Sequence, residues 1–206
     1  MTQDTKLLPS RPRLIIAAFM ILLALLLAAL ALATRQNTSQ SSGTALIGGP
    51  FTMINQAGEV VTEKTYAGHY MLLFFGFTNC GDVCPAELQV MAAAFDQLGQ
   101  ASENITPIFV SVDPERDTPP VMASYVKNFH PRLQGLTGSP EQVAAFAKTY
   151  HIFYQKVPNP KDPADYEMDH SSILYLMGTD GKFIKHFPYT TDAKALGEDS
   201  KKVLQP

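Results

Sequence analysis

The run "YMLLFFGF", residues 70–77, is apolar from end to end and carries no charge. A stretch this short and unbroken, bounded by the polar turn residues "AGH" and "TNC", fits a strand buried on both faces. Such a strand needs a covering layer above and below it, which restricts the chain to a sheet packed between helices. It leads directly into "TNCGDVCPAEL", which holds the only two cysteines, Cys80 and Cys84, three residues apart. Pro85 suits the first position of a helix, and the following "AELQVMAAAFDQLGQ" places Leu88, Met91, Ala92, Phe95 and Leu98 on one face. The cysteine pair is therefore expected at a strand-to-helix turn.

The rest of the chain from about residue 47 onward repeats this alternation. "PFTMINQAGEVVT" reads as a hairpin with strands near 51–54 and 59–62, and "ITPIFVSV" (105–112) as a second buried strand. A helix near 119–130 follows, capped at Asp117 or Thr118. "RLQGLTG", "SPEQVAAFAKTY" and "IFYQKV" read as a short extended piece, a capped helix and a strand. "NPKDPADYEMD" (159–169) is polar and Pro-containing, hence a loop; "SSILYLMGTDGKFIKHF" is a hairpin around "GTDG", with a weak terminal helix after Thr191. Strands alternating with helices and closed by an antiparallel hairpin give an α/β class, a thioredoxin-like mixed sheet flanked by helices.

Ahead of this domain, residues 14–33, "LIIAAFMILLALLLAALALA", form a charge-free apolar run of the length that spans a bilayer as a helix. Lys6, Arg11 and Arg13 precede it and only Arg35 follows closely, so the positive-inside bias keeps the tail in the cytoplasm and exports the remainder. "ALA" at 31–33 resembles a cleavage site, but the run exceeds the core of a cleaved signal. No cysteine flanks it for lipid attachment, and no Arg- and Ser-rich transit sequence precedes it. The expected division is a cytoplasmic tail over 1–13, a transmembrane anchor over 14–34, a flexible linker over 35–46 and an exported thioredoxin-like domain over 47–206. This places a single-pass protein in a bacterial inner membrane with its soluble domain in the periplasm. Sixteen basic against 19 acidic residues, with a net charge of −3 and no basic run in the second half, argue against nucleic acid as a partner. Two cysteines are too few for a disulfide framework, which leaves them free for chemistry.

A helix amino terminus favours a thiolate, so Cys84 is expected to be the more acidic of the two. Thiolates both attack disulfides and bind metals, and a CxxxC spacing, which leaves room for an ion, can still close. Among the histidines, His69, His130, His151 and His186 read as surface or capping residues. His170, in "EMDHSS", lies where a loop enters a core strand, at the end of the sheet facing the cysteine turn. Two thiolates and one imidazole suit Cu(I) best, zinc less well, and magnesium or calcium not at all. Asp82 reads as a solvated loop carboxylate, Met168 as a bystander, and Phe77, Phe75 and Tyr70 as core or pocket wall. Asp113 either orients the site, meets a partner or simply starts a turn.

"GGPFTMINQAGEVVTEKTYAGHYMLLFFGFTNCGDVCPAEL", then "SVDPERDTP" and "DHSSILYLMGTDGKF", together resemble the Sco/SenC family of membrane-anchored, thioredoxin-like copper proteins, over about residues 47–189. The resemblance implies that Cys80 and Cys84 match the CxxxCP ligands, His170 the distal histidine ligand, and Asp113 the acidic residue near the site. Asn79 stands where many members carry His, and Gly81 where Pro is common, which leaves the loop freer. The implied function is a copper chaperone carrying one Cu(I) or Cu(II) per domain to the binuclear copper site of cytochrome c oxidase subunit II, supported by a copper donor and a periplasmic thiol reductant. The alternative is an enzyme, a thiol-disulfide reductase acting through Cys80 and Cys84 to keep the acceptor's cysteines reduced. A peroxide reductase is the third reading, since "FGFTNC" resembles a peroxidatic turn; the CxxxC pair and the DHSS element count against it.

Overall fold

The structure is a computed structural model that describes residues 47–204 together with residues 16, 20–24 and 27. Chain contacts divide it into two units, Met1–Thr44 and Ala45–Pro206. In the first, the described residues are helical, with Ile16, Met20, Leu22 and Leu27 exposed. Among the described residues no helix is long and apolar enough to cross a membrane. The tail over 1–13, most of the anchor over 14–34 and the linker over 35–46 lie outside the described residues.

The second unit is built on a seven-stranded mixed sheet. Its strands are β1 (Thr52–Asn55), β2 (Val60–Thr62), β3 (Tyr70–Gly76), β4 (Ile105–Ser111), β5 (Gln134–Thr137), β8 (Ile173–Met177) and β9 (Phe183–Pro188), in the order β2-β1-β5-β4-β3-β8-β9. β3, β4 and β5 run parallel, and the flanking strands run antiparallel to their neighbours. β3 is buried on both faces, as its composition requires: Leu72, Leu73, Phe74 and Phe75 are each no more than 1% exposed. Successive residues of a strand point to opposite faces. On one side Phe74 stacks on Phe109, which packs beneath Tyr125 of helix α2 (Pro119–Val126). On the other, Phe75 meets Phe146 of helix α3 (Pro140–Thr149). Helix α1 (Val83–Leu98) packs along the terminal helix α4 (Ala193–Leu204), where Gly197 lies close to the Ala94 carbonyl.

Local chemistry fixes the element ends. Ser139 caps α3 by accepting the Gln142 N–H, while the Gln142 side chain accepts the Ser139 N–H, a reciprocal cap worth about 1 kcal/mol. α2 starts at Pro119, as expected, but ends at Val126, short of residue 130. α1 begins at Val83, two residues before Pro85, so Cys84 lies inside the first helical turn.

The polar stretch expected to be a loop over 159–169 is instead largely a strand. β7 (Asp162–His170) pairs antiparallel with β6 (Tyr154–Asn159), and these two form a small separate sheet. The apolar alternation that marks a strand is missing because most of β6 is exposed and β7 has no second strand beside it.

One buried group has a consequence for stability. Glu87, one turn beyond Cys84, is only 2% exposed, and its Oε1 has no hydrogen-bond partner. Burial pushes its carboxyl up from 4.5 to about 7. Between those values the folded protein keeps a proton that the unfolded chain has released, so stability falls as pH rises and levels off above about 7. Glu87→Gln is expected to flatten that fall and to raise stability at about pH 8 by up to about 3 kcal/mol. Urea unfolding curves across this range check it; an identical pH slope in both proteins would show that Glu87 is charged without penalty.

Candidate metal centre

The cysteines and the histidine meet at the carboxyl ends of β3 and β4. The register Phe74↔Leu174 between β3 and β8 brings the residues just before β8 alongside the end of β3. His170, the last residue of β7, thereby reaches the first turn of α1: its Nε2 lies 3.7 Å from Cys84 Sγ. The edge of its ring rests on Phe77, with centroids 5.8 Å apart and planes at 87°. Nδ1 lies 3.3 Å from the Ser171 carbonyl, which can only accept. Nδ1 therefore carries the proton, and Nε2 turns its lone pair toward the sulfur. Burial lowers the His170 pKa against the opposing pull of the Ser171 carbonyl and Asp169, which keeps the ring neutral near pH 7.

Cys84 departs from expectation. Its side chain is completely buried, and burial pushes the thiol pKa up, overriding the helix terminus; the Phe77 backbone opposes this, while Cys80 and Asp117 add to it. Cys84 therefore keeps its proton, with the Nε2 lone pair of His170 within reach as an acceptor. Cys80 is half-buried and unpaired, and it accepts a hydrogen bond at 3.4 Å from the Cys84 N–H. Among the described residues no three His, Cys, Asp or Glu side chains are arranged to enclose an ion. Cys84 Sγ and His170 Nε2 approach each other, whereas the Cys80 sulfur faces the Cys84 backbone.

Two buried carboxylates frame the turn. Asp117 accepts hydrogen bonds from the Thr78 N–H, from Thr78 Oγ1 at 2.5 Å and from Ser111 Oγ at 2.5 Å, tying the residue two before Cys80 to the end of β4. Burial pushes the Asp117 carboxyl up, and those hydroxyl bonds pull it back. Asp113 is wholly buried and bonded to Arg116 and Tyr166, so it has no surface with which to meet a partner.

The remaining histidines stand apart. His130 packs on Phe95 and His186 on Phe183, and His69 borders a cavity of about 560 Å³ with Tyr66, Arg132 and Gln134. That cavity lies at the opposite, amino-terminal ends of β3, β4 and β5 and contains neither cysteine. Asp82 is exposed, as read from the sequence, while Met168 is packed into the core.

A mixed sheet of this order, with a thiol pair where its central strand enters a helix, defines a thioredoxin-like protein; here an imidazole is added from a separate two-stranded arm. The sequence model of the SCO1/SenC family matches residues 39–205. The mitochondrial SCO1 homologue 1 of Arabidopsis thaliana is 43% identical over 166 residues, covering 80% of this chain and 49% of that protein. The human mitochondrial SCO1 homologue is 46% identical over 148 residues, covering 70% and 48%. The chain thus spans about half the length of these two relatives. A crystal structure of Arabidopsis thaliana ScoI with copper bound superposes with a TM-score of 0.72 at 44% identity, covering 76% of this chain and 96% of that one. This chain belongs to the SCO1/SenC family.

Sequence reasoning did not single out Gly76, Arg116 or Tyr166. Gly76 left a trace, as the one residue without a side chain inside an apolar strand, a mark of close approach. A Cβ there would lie 2.7 Å from Cys84 Sγ and 2.9 Å from Phe109 Cε2. Gly76→Ala is expected to lower stability by roughly 1–3 kcal/mol through overpacking and to speed alkylation of Cys84 by displacing its sulfur. Unfolding midpoints and timed thiol labelling test this; unchanged values for both would mean that the contact is slack.

Proposed function

We propose that this chain is a copper chaperone, anchored in a bacterial inner membrane by its apolar run over 14–33, with the thioredoxin-like domain in the periplasm. Copper is its cargo. Cys80, Cys84 and His170 are the ligands, and the acceptor is the binuclear copper site of cytochrome c oxidase subunit II.

The observation that carries this is the separation of 3.7 Å between Cys84 Sγ and His170 Nε2. Metal–sulfur and metal–nitrogen bonds of about 2.3 and 2.0 Å, meeting at about 110–120°, place the two atoms about 3.5–3.7 Å apart. An ion bridging the two atoms would take the place of the thiol proton. Uptake of the ion releases thiol protons, and a neutral imidazole needs no deprotonation to bind. Soft sulfur donors with one imidazole select Cu(I) over harder ions. Cys80 completes the set by turning its sulfur inward from the Cys84 N–H. Both thiols must be reduced, which in an oxidising compartment requires a thiol reductant as partner, alongside a copper donor.

The thiol-disulfide reductase reading rests on the asymmetry of the pair. Cys80 is accessible and Cys84 is sealed, the arrangement of an attacking and a resolving sulfur. Anaerobic Cu(I) titration of the reduced full chain separates the two readings. The chaperone binds one copper, Cys80→Ser and Cys84→Ser abolish retention, and His170→Ala weakens it by about 100-fold or more, since even outer partners of ligands cost 10–100-fold. Copper affinity unaltered in His170→Ala removes that ligand assignment. Turnover of a mixed disulfide by metal-free protein, at the same rate in His170→Ala, favours the reductase.

A further inference from the structure

β6 and β7 bond to each other and not to the main sheet, so the strand that delivers His170 belongs to a two-stranded arm. A hairpin of that kind is marginally stable in water by itself, and its direction depends on what grips it. At the arm's root, Ser171 N–H donates to the Phe153 carbonyl at 3.0 Å and Phe153 N–H to Ser171 Oγ at 3.2 Å. Further out along β7, beyond Met168, which is packed into the core, a polar grip lies at Tyr166. Its hydroxyl donates to Asp113 Oδ1 at 2.7 Å, and its carbonyl accepts from the Arg116 guanidinium at 2.9 Å. The same guanidinium lies over the Tyr166 ring, 3.8 Å from the centroid, and pairs through Nε with Asp113 Oδ2. Both oxygens of one fully buried carboxylate are thus used, one on the arm and one on the arginine that also holds the arm.

This grip is continuous with the site. Arg116 also stands over the Phe77 ring at 5.7 Å, and Phe77 is the surface on which the His170 ring rests. Lys156 on β6 adds an exposed pair with Glu115 at 2.6 Å, worth little when solvated. The strength lies in the charge-assisted bonds to Asp113, which are partly shielded from water.

We infer that Asp113, Arg116 and Tyr166 form a clasp that holds the β6–β7 arm on the domain and so fixes the distance of His170 from Cys84. They are positioning residues of the metal site, and the inference rests on His170 being a ligand. With the clasp closed, the imidazole is ordered before metal arrives. With it open, binding must itself order the arm, and affinity falls by that entropy.

Tyr166→Phe removes the hydroxyl and keeps the ring beneath Arg116; Arg116→Lys keeps the charge and removes the planar fork. In the full chain, each is expected to lower Cu(I) affinity, measured by competition with a chromophoric chelator, by about tenfold, the scale of one hydrogen bond to a charged group. Amide exchange of metal-free protein should quicken over residues 154–170 and stay unchanged in β3 and β4. In a His170→Ala background, Tyr166→Phe should have no further effect on affinity, which a general loss of fold could not reproduce. An equal additional loss in that background, or unaltered affinity and exchange in the single variants, overturns the clasp. Failure of the ligand reading has a different signature, namely His170→Ala binding copper like the unaltered chain. The clasp is then judged on exchange alone: faster rates confined to the arm uphold it, and unaltered rates overturn it.

Discussion

The sulfur of Cys84 occupies the space that Gly76 leaves by lacking a side chain, and this contact sets the spacing between β3 and α1. Any larger residue at 76 would meet that sulfur on one side and Phe109 of β4 on the other, so the parallel β3–β4 pair and the helix share one point of closest approach. The interaction decides chemistry as well as packing. A sulfur at zero exposure among apolar neighbours holds its proton in spite of the helix terminus, because desolvation of a thiolate outweighs the partial charge of unpaired amides. The donor that results needs an acceptor within the protein, and the unprotonated Nε2 of His170 is there to take it.

Two carboxylates leave the end of β4 with opposite duties. Asp117 turns inward to Thr78 and Ser111, and so fixes the start of the cysteine loop. Asp113 turns toward the arm, with a cation beside it. Burying either charge costs several kcal/mol unless hydrogen bonds replace its hydration, so each is retained only where its oxygens are well supplied. The supply comes from different parts of the chain: Asp117 from strand ends that are already rigid, Asp113 from a segment that would otherwise be loosely attached.

Much of this was readable from the residues, and what was not has physical reasons. β3, the cysteine turn and α1 announce themselves because a doubly buried strand must be continuously apolar and a helix buried on one face must repeat its apolar positions. The thioredoxin-like order of elements follows from the same periodicities. β7 was hidden because a strand paired on one edge, with Met168 the one buried side chain among those described, has no such pattern to keep. The acidity of Cys84 was misjudged because the helix terminus can be read from Pro85, whereas the burial of the sulfur depends on Gly76 and Phe109, the latter 25 positions away. Asp113 and Arg116 sit within one short motif, but Tyr166, 53 positions on, carries nothing in its own neighbourhood to say which carboxylate it will meet.

The division between rigid and attached parts bears on which chemistry the site favours. A metal held for structure is enclosed by four ligands that fold the protein around it. Here one sulfur is built into the core, one imidazole arrives on an arm, and one sulfur is half-buried in the loop, so as ligands the three could be lost one at a time. In the proposed chaperone such a set would grip an ion and pass it on, with the half-buried Cys80 more open to an acceptor than the sealed Cys84. A disulfide exchanger asks more of the inner sulfur, which must become a thiolate to resolve a mixed disulfide while sealed from solvent. The base available for that is His170, the group that in the copper reading serves as a ligand. Both readings therefore draw on the same thiol–imidazole contact. They differ in what replaces the proton on the inner sulfur: an ion, or a second sulfur.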